Sequence, residues 1–146
     1  MLRAVIDTNC LLASLNPNSP YHRLYLLFAS EAFDWILSNE ILTEYEEVLT
    51  REYTASTAKR VIEILLTAPN TAQKEAYYKW QLIEADPDDN KFADVAIAAN
   101  ADYLVTNDRH FEVLKQLEFP RVPVVSLQEF LSFMGEEGKE SSVKVR

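Results

Sequence analysis

The amino-acid sequence predicts an α/β domain with a largely parallel central sheet. Short apolar runs of strand length alternate along the chain with longer segments of helical periodicity. Strands that alternate with helices are joined by crossover connections, which make neighbouring strands parallel. The length of 146 residues fits one domain of ordinary size, which we expect to span residues 1–134. Residues 135–146 are polar and rich in small side chains, so we expect a flexible tail there.

The first half of the chain is predicted to contain two strands and three helices. The apolar run near the N-terminus ends abruptly at Asp7, as a buried strand does at the edge of a sheet. Ser19 followed by Pro20 is typical of a helix start, and Ser38 or Asn39 is expected to cap the next helix. The predicted strands are residues 2–6 and 33–37, and the predicted helices are residues 20–31, 39–51 and 57–67.

The second half of the chain is predicted to contain three more strands separated by helices. Pro123 removes a backbone donor from the last strand, which indicates a position at the edge of the sheet. Ser126 and Glu129 form a capping box that opens the final helix, which is expected to end at Met134. The predicted strands are residues 81–85, 103–105 and 122–125, the other predicted helices are 91–101 and 109–117, and one or two helical turns are expected in 72–80.

The composition excludes several kinds of protein. Only 2 residues are glycine, and both lie in the last dozen residues, so no Gly-rich loop can bind phosphate through its backbone amides. Cys10 is the only cysteine, which excludes an internal disulfide and favours a reducing compartment, the cytoplasm. No apolar run reaches the length of a membrane span, and we expect neither a signal peptide nor a membrane segment.

The charge of the chain argues against a generally basic surface for nucleic acid. The 14 basic and 23 acidic residues give a formal net charge of −9. Phosphate backbones favour basic surfaces, so an acidic protein that acts on nucleic acid must use some of its carboxylates in another way. For most of these acids, we expect the ordinary role of keeping the surface soluble.

Carboxylates follow several of the predicted strands. Asp7 follows the first strand, Asp108 follows the strand at 103–105, and Asp94 lies early in a helix that has little polar surface. Because parallel strands end at the same edge of a sheet, these acids are expected to meet there. Clustered carboxylates are costly unless a cation binds between them, and Mg²⁺ or Mn²⁺ prefers such oxygen ligands. Taken singly, each acid is also compatible with a cap or a turn. Further acids follow the predicted third strand, namely Asp86, Asp88 and Asp89.

Three segments of the chain resemble motifs of the PIN-domain family. Residues 6–12 (IDTNCLL) are similar to its opening D-T-N motif, and residues 94–99 (DVAIAA) resemble its D-x-x-I-A-A motif. Residues 104–111 (LVTNDRHF) resemble its L-V-T-x-D-x-x-F motif, and the order and separations also match over roughly residues 2–130. The DPDDNKF stretch and the small size are most similar to PIN proteins that are toxins of toxin–antitoxin pairs, whose better-known relatives are VapC-type ribonucleases.

The resemblance implies a three-layer α/β/α fold and four acids that bind Mg²⁺ or Mn²⁺ and carry catalysis. By motif position, Asp7 is the first acid, Asp94 the third and Asp108 the fourth. The second acid of the family lies on the helix after the second strand, where Glu44 is the predicted residue. Asp89 is expected as an additional metal ligand. The alternatives to Glu44 are Glu40, Glu46 and Glu47.

Four polar residues beside these acids are expected to orient the carboxylates or a water molecule. Thr8 and Asn9 follow the first acid of the motif, and Thr106 and Asn107 precede the last one.

A metal-dependent ribonuclease, the toxin of a toxin–antitoxin pair, is the function that the resemblance implies. The expected partners are RNA, an antitoxin protein and a second copy of the chain in a homodimer. One alternative is a non-catalytic PIN-fold module that binds an antitoxin or another protein. A phosphatase similar to haloacid dehalogenases is a further alternative, but it would need a second aspartate where Asn9 stands. The aromatic residues Tyr77, Tyr78 and Trp80 are expected in the core or a dimer interface rather than in base stacking.

Overall fold

A computed structural model describes residues 1–135, and it confirms the predicted parallel α/β architecture. Five parallel strands form one sheet in the order β3-β2-β1-β4-β5. The chain moves outward from β1 to β3 and then returns to place β4 on the other side of β1, so a crevice opens where β1 and β4 end. The strands are β1 (Arg3–Ile6), β2 (Asp34–Leu37), β3 (Thr71–Gln73), β4 (Tyr103–Val105) and β5 (Val124–Val125).

Helices flank the sheet and complete the three layers. Helix α5 contacts β1, β2 and β4, while α3 packs against α4 and α1 packs against α2. Two segments are 3₁₀ helices, Pro87–Asp89 and Arg109–Gln116. The α-helices are α1 (Thr8–Ser14), α2 (His22–Ala29), α3 (Asn39–Glu52), α4 (Ala55–Thr67), α5 (Asn90–Ala98) and α6 (residues 127–135).

The core lies between these layers, and aromatic side chains fill much of it. Phe33 and Trp35 are buried and contact each other, and the ring of Phe28 meets Trp35 edge to face at 5.2 Å between centroids. Phe130 of α6 meets Phe33 in the same way, so the last described helix belongs to the same core. Among residues 1–135, no helix is long and apolar enough to cross a membrane. Residues 136–146, most of the predicted tail, lie outside the described part of the chain.

Helix caps follow the sequence closely. Ser38 accepts a hydrogen bond from the backbone of Ile41 at the start of α3. Ser126 and Glu129 exchange two hydrogen bonds of 2.8 and 3.0 Å, which confirms the capping box that was predicted to open α6. These caps satisfy backbone donors that the first turn of a helix leaves free.

The predicted third strand at 81–85 is wrong, and residues 72–80 are not helical. The third strand is Thr71–Gln73, which pairs with β2 and already covers that edge. Asn70, just before it, is buried and donates to the carbonyls of Phe28 and Phe33. Further along, the side chain of Asn90 bonds both backbone groups of Ile83 at 2.9 and 3.0 Å. A side chain therefore satisfies the backbone groups that would otherwise need a strand partner.

Helix α1 was not predicted. It begins directly after β1, with the Asp7 carbonyl accepting the first helical hydrogen bonds from Cys10 and Leu11. Thr, Asn and Cys have poor helix propensity, so the local sequence gives little signal for this helix. Burial of Cys10 and Leu11 against the core stabilises it instead. Residues 109–116 differ in a smaller way, since they form a 3₁₀ helix where an α-helix was predicted.

Candidate functional site

A cavity of about 510 Å³ lies where β1 and β4 end, and most of its lining is acidic. We call it the acidic cavity. Two basic side chains, Arg51 and Lys91, also line it. Its acidic and neutral lining residues are Asp7, Thr8, Asn9, Glu40, Thr43, Glu44, Glu47, Val48, Asp86, Asp88, Asp89 and Asp108.

Asp7 lies at the base of the acidic cavity, directly after β1. Its side chain accepts a 2.8 Å hydrogen bond from the hydroxyl of Thr106, and its backbone donates to Val105 at the end of β4. Only 5% of the residue is exposed. Burial raises the pKa of Asp7 to about 6, although the bonds from Thr106 and the Thr8 backbone lower it, and the charges of Glu44 and Asp108 raise it further.

Glu44 reaches the cavity because its neighbour Tyr45 fixes α3 to β1. The Tyr45 hydroxyl donates to the carbonyl of Ile6, the residue before Asp7, at 2.5 Å, and it accepts from the indole of Trp35. The Glu44 carboxylate accepts from the hydroxyl of Thr8 and pairs with Lys91, whose Nζ lies 2.6 Å from Oε1. Glu40 and Glu47 of the same helix also line the cavity, so the choice of Glu44 among them stays a prediction.

Asp108 follows β4, and Thr106 links it to Asp7. The Thr106 hydroxyl donates to Asp7 and accepts from the backbone N–H of Asp108 at 3.0 Å. One Asp108 oxygen accepts from the backbone of His110, and the Nδ1 of that histidine lies 3.3 Å from the same oxygen. The L-V-T-x-D spacing therefore brings a hydroxyl and a carboxylate to the acidic cavity from one strand end.

Asp89 has the least satisfied carboxylate of the acidic cavity. Its Oδ2 is fully buried and accepts no well-aligned hydrogen bond, and its polar neighbour is Nδ1 of His110 at 3.5 Å. Burial, together with the charges of Asp86, Asp7 and Asp108, raises the pKa of Asp89 to about 7, although the contact with His110 lowers it. Ligand atoms of Asp86, Asp89 and His110 all lie within 4.8 Å of one another, a spacing that one metal ion could bridge.

The structure places Asp94 apart from these acids. Its carboxylate accepts from the backbone N–H of Trp80 at 3.1 Å and lines a second cavity, also of about 510 Å³. Burial raises the pKa of Asp94, and the charged groups that influence it are Lys79 and Glu40 rather than Asp7 or Asp108. We call this second space the flanking cavity; Glu40 and Lys91 line both cavities.

The four polar residues predicted to orient the acids divide into two groups. Thr8 and Thr106 bond site carboxylates directly, and Asn9 lines the acidic cavity. Asn107 instead turns its side-chain oxygen to the backbone N–H of Leu127, where it fixes the start of α6. Asn107 therefore makes a structural contact outside the cavity.

Two residues near the acids carried no functional prediction, Lys91 and His110. Burial lowers the pKa of Lys91, but the hydrogen bond and charge of Glu44 outweigh that effect and raise it overall. Lys91 lies two positions after Asp89 in the DPDDNKF stretch, and His110 lies two after Asp108. This closeness in sequence to predicted metal ligands is the signal from which both residues could have been predicted.

The donor set of the acidic cavity fits a hard divalent cation. Eight carboxylates line the cavity, from the ends of β1 and β4, from α3 and from residues 86–89, with one imidazole beside them. The raised pKa values of Asp7 and Asp89 show that their negative charge is poorly compensated by the protein alone. The buried oxygen of Asp89 without a donor gives the same indication. Carboxylate oxygens are the ligands that Mg²⁺ and Mn²⁺ prefer.

Comparisons with solved structures show the same fold in other proteins. VapBC2 from Rickettsia felis, bound to a promoter DNA fragment, matches with a TM-score of 0.59 and 22% identity over 86% of this chain and 98% of that one. DNA-bound VapBC from Salmonella typhimurium has a TM-score of 0.59 and 20% identity over 87% and 99%. The PIN domain of T. brucei RRP44 has a TM-score of 0.54 and 12% identity over 99% and 88%.

Sequence comparison assigns the family. No curated protein sequence matches the chain. A family model described as PIN domain matches residues 3–110, which include β1, α3, the DPDDNKF stretch and the end of β4. These segments supply the carboxylates of the acidic cavity, so the match covers the site as well as the sheet. The chain belongs to the PIN domain family.

Proposed function

We propose that this protein is a metal-dependent endoribonuclease, acting in the cytoplasm as the toxin of a toxin–antitoxin pair. In this proposal, Asp7, Glu44, Asp89 and Asp108 bind Mg²⁺ or Mn²⁺ and position it against an RNA phosphodiester. The observation that carries the proposal is the convergence of these carboxylates on the buried Asp7. Membership of the PIN family supports a hydrolase of nucleic acid.

The side chains of the cavity would have distinct roles in that reaction. A bound divalent cation activates water and neutralises charge on the phosphate. Thr106 orients Asp7, and Thr8 orients Glu44, through the hydrogen bonds described above. Lys91, which pairs with Glu44 at the cavity, would contact an RNA phosphate. A histidine base is not required by this scheme.

Asp89 takes the place in this proposal that the motif resemblance gave to Asp94. The charges of Asp7 and Asp108 act on Asp89, so these three carboxylates lie close together. Asp94 instead accepts a hydrogen bond from the backbone of Trp80 and lines the flanking cavity. We therefore propose Asp94 as a positioning residue that fixes the segment before the DPDDNKF turn. Its substitution should affect folding stability more than metal binding.

A cleavage assay on single-stranded RNA with Mg²⁺ or Mn²⁺ tests the proposal. Asp7→Asn and Asp89→Asn should lose more than the roughly 10- to 100-fold that removal of an outer partner of a metal ligand costs. Glu63→Gln, on the exposed side of α4, is the matched control and should cleave like the wild type. Cleavage that survives both a chelator and Asp7→Asn would contradict the metal mechanism.

An antitoxin partner is supported by the similarity to VapBC chains. Strong expression of the chain alone should arrest growth, and expression together with the product of a neighbouring antitoxin gene should restore it. Growth arrest that persists in Asp7→Asn would separate toxicity from the metal site. A homodimer stays a prediction, which sedimentation of the purified protein would measure.

A further inference from the structure

Aromatic side chains form an exposed cluster beside the flanking cavity. Tyr78 contacts Trp80 with ring centroids 4.8 Å apart, and Trp80 contacts Phe119 at 5.9 Å, both edge to face. Phe119 is 81% exposed and Tyr78 is 67% exposed, and the preceding Tyr77 is 92% exposed. We call Tyr78, Trp80 and Phe119 the aromatic cluster. Large rings this accessible are unusual on a protein surface without a binding role.

The backbone of one member of the aromatic cluster is fixed to the fold. The backbone N–H of Trp80 donates to the buried carboxylate of Asp94 on α5. Each edge-to-face contact occupies the edge of one ring and one face of the other, so these contacts leave the remaining ring faces uncovered. An aromatic group whose backbone is fixed loses little entropy when a flat ligand stacks on it.

A continuous path leads from the aromatic cluster to the acidic cavity. Lys79 lies between Tyr78 and Trp80 in the chain and lines the flanking cavity, which Asp94 also lines. The flanking cavity shares Glu40 and Lys91 with the acidic cavity. A single strand crossing the flanking cavity could therefore place a base at the aromatic cluster and a phosphate at the acids.

The flanking cavity offers two basic side chains to a phosphate backbone, although it is not basic overall. Lys79 and Lys91 line it together with the acids Glu40, Glu84 and Asp94. Lys79 is half exposed and pairs with Glu40 at 3.3 Å, a surface pair that is weak enough to open. Stacking of a base on a ring needs no positive surface, because every base has a face that can stack.

We infer that the aromatic cluster of Tyr78, Trp80 and Phe119 is a base-stacking site for single-stranded RNA that is cleaved at the acidic cavity. This inference rests on the proposed ribonuclease function and adds where the RNA bases bind. Stacking explains how a protein of net charge −9 can bind RNA. The flanking cavity connects the aromatic cluster with the acidic cavity, which favours an RNA strand over a second protein here.

Binding of a short fluorescent oligoadenylate in a chelator tests the inference without cleavage. Tyr78→Ala and Phe119→Ala should each weaken binding by roughly 5- to 150-fold, the range measured for loss of one stacked base. Tyr78→Phe keeps the ring and should bind like the wild type. Phe133→Ala is the matched control, because Phe133 is half exposed but packs on Tyr103 away from the cluster. An abasic oligomer of equal length has no bases to stack. Its affinity for the wild type should therefore be at least as low as the affinity of the intact oligomer for Tyr78→Ala.

Three results would overturn the inference. One is unchanged oligoadenylate affinity in both alanine variants, and another is equal affinity of the wild type for the abasic and intact oligomers. The third is a change from dimer to monomer in the alanine variants with RNA affinity unaltered, which would make the cluster a protein interface. Binding in chelator is independent of catalysis, so a wild type that stacks RNA but cleaves none would sink the proposed function alone.

Discussion

Asp7 is buried and lies close to other carboxylates. Both conditions raise the free energy of its ionised form when no cation is bound. The residue is almost wholly buried and has one side-chain donor, Thr106, while the charges of Glu44 and Asp108 act on it. A buried acid that served only to cap a helix would be better compensated. The proposed divalent cation would supply this missing compensation.

The metal-free protein should lose stability as pH rises. The pKa of Asp7 is about 6 when folded and lower when unfolded, so the folded state binds the extra proton between about pH 4 and pH 6. Stability is then highest at the acid end of this window, falls by on the order of 3 kcal/mol across it, and levels off above pH 6. Thermal melting in a chelator at pH 4 and pH 8 measures this. Asp89, whose pKa is also raised, contributes a loss in the same direction. Asp7→Asn should therefore reduce the difference, and an unchanged difference in that variant would contradict the assignment.

Thr106 should act on the site through its hydroxyl alone. Thr106→Val keeps the shape but removes the donor to Asp7 and the acceptor for the backbone of Asp108. Metal affinity should fall by roughly 10- to 100-fold, as for other residues that orient metal ligands. Calorimetric titration with Mn²⁺ measures the change. Thr106→Ser should retain most of the affinity, and equal affinity in the Val variant would show that the hydroxyl is dispensable.

Helix α3 is positioned by a buried polar contact rather than by packing alone. Tyr45 joins the indole of Trp35 on β2 to the carbonyl of Ile6 on β1, and burial raises the pKa of its hydroxyl well above the usual range. The adjacent Glu44 therefore has a fixed place beside Asp7. A helix held only by apolar contacts could rotate slightly without losing buried apolar area. The carboxylate of Glu44 would then move with the helix.

Tyr45→Phe should destabilise the fold and loosen the site together. The substitution leaves a buried donor and a buried carbonyl without a partner, at a cost of about 1–3 kcal/mol for each unsatisfied group. Denaturant unfolding measures the loss. Tyr53→Phe is the control, because the Tyr53 hydroxyl is exposed and makes one long contact of 3.4 Å; it should change stability by less than about 0.5 kcal/mol. A Tyr45→Phe variant as stable as this control would contradict the positioning role.

At the scale of the whole molecule, the site joins four separate segments across the crevice of the sheet. The proposed cation would link β1, α3, the DPDDNKF turn and the end of β4. A ligand that binds the folded state and not the unfolded chain stabilises it by mass action, about 2.7 kcal/mol at a concentration of 100 times Kd. The metal should therefore act on global stability and not only on catalysis.

Mg²⁺ or Mn²⁺ should raise the melting temperature of the wild type at pH 8. Asp89→Asn and Asp108→Asn should lose most of this shift, because each removes a carboxylate of the acidic cavity. Asp94→Asn should keep the shift even where it lowers the melting temperature itself, since its carboxylate lies in the flanking cavity. Differential scanning calorimetry with and without the cation checks both. Loss of the shift in Asp94→Asn alone would restore that residue as a ligand.

Features that depend on local pattern could be predicted from the amino-acid sequence alone. Alternation of apolar runs and helical segments predicted the parallel α/β fold, and the strand ends predicted that Asp7 and Asp108 would meet. Capping chemistry identified the start of α6 correctly. A single sequence is enough to detect these signals, because apolar runs and helix caps are set by residues within a few positions of one another.

The tertiary structure decided the features that depend on which surfaces are already covered. Residues 81–85 could have formed a strand, but Thr71–Gln73 occupies the edge of β2 and Asn90 satisfies the backbone there. Helix α1 exists because the core buries it, despite poor propensity. Asp89 and Asp94 lie only five positions apart, at the start of α5 and within it. The packing of α5 decides which of the two carboxylates faces the acidic cavity. Such competition between distant segments has no signature in local sequence.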